Sequence, residues 1–141
     1  MEMRFVILKE EQIIVQKFTG ELTYENWLKS AEAIWNHPDY DKLYRGIIDF
    51  READVQMRVT EIKTIVELLL QEEGKALRAD AVILIDEPSA AAFASIFSAS
   101  VSPLLSTKIV TTEEGASHKF ELDVSVFHQL EGPDSVSLLL D

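Results

Sequence analysis

The sequence predicts an α/β protein in which an N-terminal β-hairpin precedes alternating helices and strands, in the order β-β-α-β-α-β-α-β-α. Short β-branched runs separated by longer helical patterns are typical of parallel strands joined by helical crossovers. The run AVILI at 81–85 lacks polar alternation, which indicates a strand covered on both faces of its sheet. With 141 residues, 47% of them hydrophobic, the chain can bury a core without disulfides. We expect one domain over residues 1–141, with a mixed five-stranded sheet and four helices.

Two apolar runs near the N-terminus predict the hairpin. Residues 5–8 (FVIL) and 13–18 (IIVQKF) are rich in β-branched and aromatic side chains, and the polar segment 9–12 separates them. Gly20 then interrupts the pattern and ends the second strand. The two strands are expected to pair in antiparallel fashion.

The first helix is predicted from Thr23, a favourable N-cap, to about Asn36. Trp27 and Trp35 are about two helical turns apart, so they share one face of this helix. Pro38 ends the helix because it disfavours the helical conformation of the residue before it. The shared tryptophan face indicates core packing or, alternatively, one wall of an apolar cleft.

The middle of the chain continues the alternation of strands and helices. A third strand is predicted at 47–50, and a second helix with a broad apolar face follows at 60–73. After the buried strand at 81–85, a third helix is predicted from 90 to about 100, with Ser89 as its N-cap.

The C-terminal part contains the fifth strand, at 108–111, and a fourth helix from 112 to about 130. His118 and His128 are then ten residues apart on one helix and do not share a face. Because no metal-binding histidine spacing and no cysteine occur, no metal site is expected. The last segment, 132–141, reads as an exposed apolar tail outside the sheet.

Charge and composition argue against several classes of function. The net charge of −12 repels phosphate backbones and anionic lipids, which opposes nucleic-acid and membrane-surface binding. No apolar run approaches the roughly 18 residues needed to span a bilayer, and the N-terminus has no signal-peptide pattern. A cytoplasmic protein is therefore expected. No cofactor is expected either, because glycine-rich nucleotide-binding motifs are absent from the sequence.

Charged and hydroxyl side chains follow several predicted strands. The carboxyl ends of parallel strands lie along one edge of a sheet, where ligands of α/β proteins usually bind. The segment 49–54 is interpreted as a charged loop at this edge, with a salt bridge between Arg51 and an acid as the simplest alternative to a binding role. The candidate binding residues are Asp49, Arg51, Glu52, Asp54, Arg58, Glu87, Ser89 and Thr112.

Several strings resemble the SpoIIAA-like branch of the STAS family over roughly residues 3–122. They are GELT at 20–23, IIDF at 47–50, AVILI at 81–85 and KIVTTEEGA at 108–116. The resemblance implies a β-α superhelix behind an N-terminal strand pair. It also implies a regulatory role, since regulatory members carry a serine, phosphorylated by a partner kinase, at the start of the helix after the strand of the Asp49 type.

In this chain Met57 and Arg58 stand where the family has that serine. Thr60 is the nearest hydroxyl and so the weak candidate for phosphorylation, but helix capping is its favoured role. The phosphorylation switch is therefore expected to be absent.

Three hypotheses about function follow. The first is a non-enzymatic, cytoplasmic, STAS-like module that binds a protein partner and forms a homodimer, with the tail 132–141 and the helix at 90–101 as contact surfaces. The second is a small-molecule or lipid carrier with an apolar pocket near Trp27, Trp35 and the third helix, an idea that the Sec14-type relatives of this fold suggest. The third is an enzyme, which requires Asp49, Arg51 and Glu87 to converge in one pocket.

Overall fold

The computed structural model describes residues 1–71, 80–86, 88–101 and 107–140. Its strands are β1 (Glu2–Leu8), β2 (Ile13–Leu22), β3 (Arg45–Val55), β4 (Ala81–Leu84), β5 (Thr107–Val110) and β6 (Val136–Leu139). Its helices are α1 (Tyr24–Trp35), α2 (Val59–Gln71), α3 (Pro88–Val101) and α4 (Glu113–Lys119), followed by a 3₁₀ helix (Val124–Glu131).

The described strands form one sheet in the order β5-β4-β3-β2-β1-β6. Strands β2, β3, β4 and β5 are parallel to one another, whereas β1 is antiparallel to both of its neighbours, β2 and β6. The predicted hairpin and the parallel β-α winding behind it are confirmed. This is the arrangement that the SpoIIAA-like resemblance implies.

Helices cover both faces of the sheet. Helices α1, α2 and α3 pack on one face, and α4 with the 3₁₀ helix packs on the other. Because side chains alternate along a strand, β3 directs Phe50 to the first face and Ile47 to the second. All four residues of β4 are buried, which confirms the two-sided burial predicted for the AVILI run.

The first helix agrees with its prediction. Thr23 is the N-cap and its hydroxyl accepts a hydrogen bond from the Asn26 N–H, while Asn36 is the C-cap. The third helix begins at Pro88, so the prediction that Ser89 is its N-cap is wrong. Proline tolerates this first helical position because the N–H that it lacks has no partner there anyway.

The C-terminal segment is a strand, so the prediction of five strands and an exposed tail is wrong. Residues Val136–Leu139 form β6 and pair with β1 from Glu2 to Phe5. Val136 and Leu138 face the α1–α3 side, while Ser137 and Leu139 are exposed. This alternation is that of a half-buried strand. Two hydrogen bonds of 2.8 Å between Met1 and Leu140 close the end of the pair.

The predicted single helix from 112 to 130 is divided into α4 and the 3₁₀ helix. Glu121 lies between them with a φ of 57°, which is incompatible with a continuous right-handed helix. Asp123 then caps the second element by accepting the Ser125 N–H at 2.8 Å. His118 and His128 therefore belong to different helical elements, and the predicted count of four helices is wrong.

The third strand is much longer than predicted, and the interpretation of 49–54 as a loop is wrong. β3 extends to Val55 and remains paired with β2 up to Leu22. Ala53 and Val55 are buried while Glu52 and Asp54 are exposed, so these charges are the solvent-facing half of a strand pattern.

Candidate functional site

An apolar cavity of about 120 Å³ lies between α1, α3 and the sheet. Trp27, Ala31, Ile34 and Trp35 of α1 form one wall, and Phe93 and Phe97 of α3 form part of another. The sheet contributes Ile14, Gln16, Gly46, Ile48, Phe50, Ala81 and Ile83, and Leu69 of α2 completes this part of the lining. The carrier hypothesis predicts an apolar pocket near Trp27, Trp35 and the third helix, and the cavity lies at this position.

Aromatic rings dominate the cavity wall. Seven of its eighteen described lining residues are aromatic, in a chain whose aromatic content is 9%. Trp27 and Trp35 meet edge to face at 6.4 Å, and Phe50 meets Phe93 in the same way at 5.1 Å. Such contacts hold the rings in fixed orientations. The cavity therefore has ordered aromatic walls.

Small residues on neighbouring strands create the empty space. Gly46 of β3 and Ala81 of β4 are register partners, and Ala31 of α1 also lines the cavity. A Cβ atom added at Gly46 would meet no atom within 4 Å. Because larger side chains at these positions would fill the space, the cavity is a direct result of the sequence.

The segment between α1 and β3 forms the mouth of the cavity. Tyr40, Asp41, Lys42 and Tyr44 line it, and Asp41 and Lys42 are exposed. Two turn contacts order this segment, since the Tyr44 N–H donates to the Asp41 carbonyl and the Leu43 N–H donates to the Asp41 carboxylate. The mouth thus lies at the amino-terminal ends of β3 and β4, at the edge opposite to the one predicted for a ligand.

Gln16 places an amide on the inner wall of the cavity. It lies on β2 between Ile14 and Phe18, and its register partners are Phe5 on β1 and Ile48 on β3. Among the described residues, no hydrogen-bond partner is found for the Gln16 side chain. The amide thus faces the cavity from an otherwise apolar part of the sheet.

The opposite face of β3 carries a buried ion pair. The Asp49 side chain is 1% exposed, and its carboxylate accepts two hydrogen bonds from the Arg51 guanidinium, at 3.0 and 2.8 Å, and one from the Arg51 N–H at 3.0 Å. Arg51 also donates to Glu113 of α4 at 2.8 Å. Hydrogen bonding to Asp49, supported by Glu113, raises the pKa of Arg51 despite its partial burial.

These contacts favour a structural role for the Asp49 cluster, which consists of Asp49, Arg51 and Glu113. A bidentate pair is the strong form of a charged hydrogen bond, and it occupies both carboxylate oxygens of Asp49. The cluster ties β3 to α4 across the sheet surface. A salt bridge between Arg51 and an acid is the predicted alternative to a binding role, and the structure contains this salt bridge.

The other predicted site residues are dispersed. Glu52 is exposed and lies 3.3 Å from Lys17, and Asp54 accepts from the Gln56 amide. Arg58 and Glu61 interact at the start of α2. Thr112 caps α4 by accepting the Gly115 N–H at 3.0 Å.

The remaining predictions concern Glu87, Ser89 and Thr60. Glu87 and the side chain of Ser89 lie outside the described residues. Thr60 lies inside the first turn of α2, which begins at Val59, so the prediction that it caps this helix is wrong. The Glu61 carboxylate instead accepts the Arg58 N–H at 2.9 Å, as in a capping interaction.

The structure brings only part of the predicted set together. Asp49, Arg51 and Glu52 line one open, mixed-charge groove with Glu113 and Lys17, whereas Arg58 lies in a different depression. In the described part of the chain, no three potential metal-ligating side chains are grouped, and no helix is long and apolar enough to cross a membrane. A ligand-binding role for the charged residues stays a prediction.

The residues that shape the cavity mouth and inner wall, Gln16, Tyr40, Tyr44 and Gly46, are absent from the predicted binding set. A glutamine in the apolar run IIVQKF and a glycine at the start of the run GIIDF were the available signals. Each breaks the apolar pattern of a strand at one position.

No known protein-family model matches the sequence, and neither does any curated protein. Among solved structures, the fold is similar to that of an uncharacterized protein from the DUF3478 family with a SpoIIAA-like fold from Shewanella loihica PV-4. The TM-score is 0.49 at 16% sequence identity, over 77% of this chain and 83% of that one. The proposals below rest on the geometry of this chain alone, and the relation to Sec14-type proteins stays a prediction.

Replacing Arg51 by methionine should lower the free energy of unfolding by roughly 3 kcal/mol, because the buried Asp49 carboxylate loses its counter-charge. The double variant Asp49→Asn/Arg51→Met should lose clearly less than the sum of the two single variants. The control is Glu52→Gln on the same strand; its side chain is 57% exposed, and we expect less than about 1 kcal/mol. Urea denaturation measures the wild type and the four variants, which include Asp49→Asn alone. Additive losses in the double variant would contradict the buried pair.

The ionisation of Tyr40 should report its burial in the cavity mouth. Burial raises the pKa of the Tyr40 phenol above its ordinary value, and the Asp41 carboxylate raises it further. The folded state thus favours the neutral phenol. This stabilising contribution is complete below about pH 10, the pKa of an unfolded tyrosine, and is lost as pH rises through the folded-state pKa.

Ultraviolet titration of phenolate absorbance in the wild type and in Tyr40→Phe gives the Tyr40 component by difference. We expect this component to titrate at higher pH than free tyrosine. A component that titrates like free tyrosine would mean that Tyr40 is solvated and does not form the mouth.

Proposed function

We propose that this protein is a non-enzymatic binding module that holds a small apolar molecule in the cavity between α1, α3 and the sheet. The supporting observation is the cavity itself, which is lined by ordered rings and open at one mouth. Binding sites for small molecules are typically concave and apolar, with a few polar groups that orient the ligand. We therefore prefer the hypothesis of a small-molecule carrier over the hypothesis of a protein-interaction module.

A packing defect is the alternative explanation of the cavity. Protein interiors are packed as densely as organic crystals, and an unfilled cavity of about 120 Å³ costs on the order of 3 kcal/mol. A larger side chain at Gly46 would enter open space, because a Cβ atom there meets nothing within 4 Å. A space of this size that is lined by ordered rings and open at one mouth favours a binding role over a packing defect.

The arrangement of the charged residues supports the non-enzymatic part of the proposal. Asp49 and Arg51 neutralise each other on the face of the sheet away from the cavity, and Glu113 adds a second carboxylate to the same guanidinium. A general base needs an oxygen free to accept a proton from substrate. Both carboxylate oxygens of Asp49 already accept hydrogen bonds.

Filling the cavity from Gly46 should abolish binding without unfolding the protein. Gly46→Ala should raise the free energy of unfolding by about 0.4–1 kcal/mol, because glycine is the most flexible residue in the unfolded chain. Gly46→Val should block the cavity and bind least. Toluene, methylcyclohexane and indole serve as probes. Both tryptophans of the chain lie in the cavity wall, so their fluorescence should report binding of toluene and methylcyclohexane. Indole absorbs and emits in the same range as tryptophan, so titration calorimetry measures its binding.

The matched control is Ser137→Val, which adds the same side chain to an exposed strand position far from the cavity lining. It should bind the probes as the wild type does. Thermal unfolding with and without probe gives an independent readout, since a ligand that binds only the folded state raises the midpoint. If none of the three probes binds the wild type, or if Gly46→Val binds them equally well, the proposal is rejected.

A second candidate function is the cytoplasmic, STAS-like regulatory module that acts through protein contacts as a homodimer. It is favoured by β6, an apolar strand at one edge of the sheet whose Leu139 side chain is 82% exposed. The unpaired N–H and C=O groups of such an edge can pair with a second copy. α3 is a weaker contact surface because Ala90, Phe93 and Phe97 are buried in the core.

Leu139→Lys should convert the dimer to a monomer, because a lysine on an edge strand opposes strand pairing. Deleting 133–141 is the less suitable test, since it would also remove β6 from the sheet and expose β1. Leu43→Lys is the control, as it adds the same charge at another exposed leucine. Light scattering after size-exclusion chromatography measures the mass. A wild-type protein that is monomeric at all concentrations would exclude the homodimer.

A further inference from the structure

The Gln16 amide on the inner wall of the cavity restricts the class of ligand that can bind there. Outside the mouth segment 40–44, Gln16 is the one described lining residue with an amide or charged side chain. It stands in the middle of an apolar sheet face, with Ile14 and Phe18 on its own strand and Ile48 beside it on β3. Gln16 is half-buried, and its amide is not among the fully enclosed polar atoms that lack a partner, which in the described part of the chain belong to Ser98 and Ser117. The amide can therefore bond a ligand that enters through the mouth, as the few polar groups of an apolar site typically do.

The size of the cavity restricts the ligand. An engineered cavity of ~150 Å³ lined by aliphatic and aromatic side chains binds benzene, whereas sites for larger ligands are typically ~300–1,000 Å³. At about 120 Å³ the cavity here belongs with the first kind. A long lipid chain is too large for this space. One aromatic ring matches it, and a second fused ring would extend toward the open mouth.

The walls favour an aromatic ligand. The rings of Trp27 and Trp35 stand nearly perpendicular to each other, with an interplanar angle of 82°. Phe93 and Phe97 are nearly parallel, with an interplanar angle of 13°. Aromatic ligands gain from offset and edge-to-face contacts with such rings, beyond the gain from burying apolar area.

We infer that the cavity binds a neutral, planar aromatic molecule of one or two rings that carries one hydrogen-bonding group at its edge, which bonds the Gln16 amide. The ligand is neutral because the charged lining residues Asp41 and Lys42 lie at the exposed mouth, away from the inner wall. This inference rests on the proposed function, since it names the class of ligand that the same cavity takes.

Two matched pairs of probes test the inference. Indole and indene have nearly the same shape, but only indole carries an N–H group. Toluene and methylcyclohexane have similar size, but only toluene is planar. In the wild type, indole should bind at least fivefold tighter than indene, which corresponds to about one net hydrogen bond. Toluene should bind tighter than methylcyclohexane.

The variant Gln16→Met keeps the length of the side chain and removes its amide. The preference for indole over indene should fall at least about tenfold, since the indole N–H would then be buried without a partner. Affinity for toluene should change less than threefold. Titration calorimetry gives each dissociation constant. The two wild-type pairs remain informative even if the variant does not fold.

The outcomes separate this inference from the proposed function. Binding of methylcyclohexane as tightly as toluene, or of indene as tightly as indole, overturns the inference and leaves apolar binding intact. An unchanged preference for indole in a folded Gln16→Met variant also overturns it. Failure of all four probes to bind the wild type rejects the proposed function and the inference together.

Discussion

The position of strand β3 determines which side chains lie on each face of the sheet. It is paired on both sides, with β2 and β4, and its side chains alternate between two covered faces. Gly46, Ile48 and Phe50 line the cavity. Asp49 and Arg51 lie on the other face of the sheet, where Arg51 bonds Glu113 of α4. Because a shift by one residue would exchange the two sets, the register of β3 determines where the cavity and the buried charges lie.

The buried ion pair helps to explain why the cavity does not collapse. A void in a protein persists only where the surrounding structure cannot relax into it. β3 is held by its two neighbours and by the bond from Arg51 to Glu113 of α4, and these contacts restrict its movement toward α1. The charges on one face thus restrain the strand that carries part of the apolar wall on the other face. Restrained walls reduce the entropy lost when a ligand binds.

Much of the fold could be predicted from periodicity, and so could one wall of the cavity. Trp27 and Trp35 share a helical face by spacing alone, and 81–85 reads as a buried strand. The small pair Gly46 and Ala81 could not be predicted, because it depends on strand register between residues 35 positions apart in sequence. Glu52 cannot be assigned to a strand from sequence alone, because an exposed charge in a half-buried strand and a charge in a loop have the same local composition.

The cavity and the edge strand occupy separate parts of the sheet, which allows the two candidate functions to coexist. The cavity lies against β2, β3 and β4, while β6 lies beyond β1 at the edge of the sheet. Two structural links join them among the described residues. In the β1–β2 pair, Phe5 stands opposite Gln16 while the same strand pairs with β6. Val136 and Leu138 of β6 also pack against the core cluster that contains the cavity-lining rings. Coupling between the two sites could therefore pass through the strand pair or through this shared core.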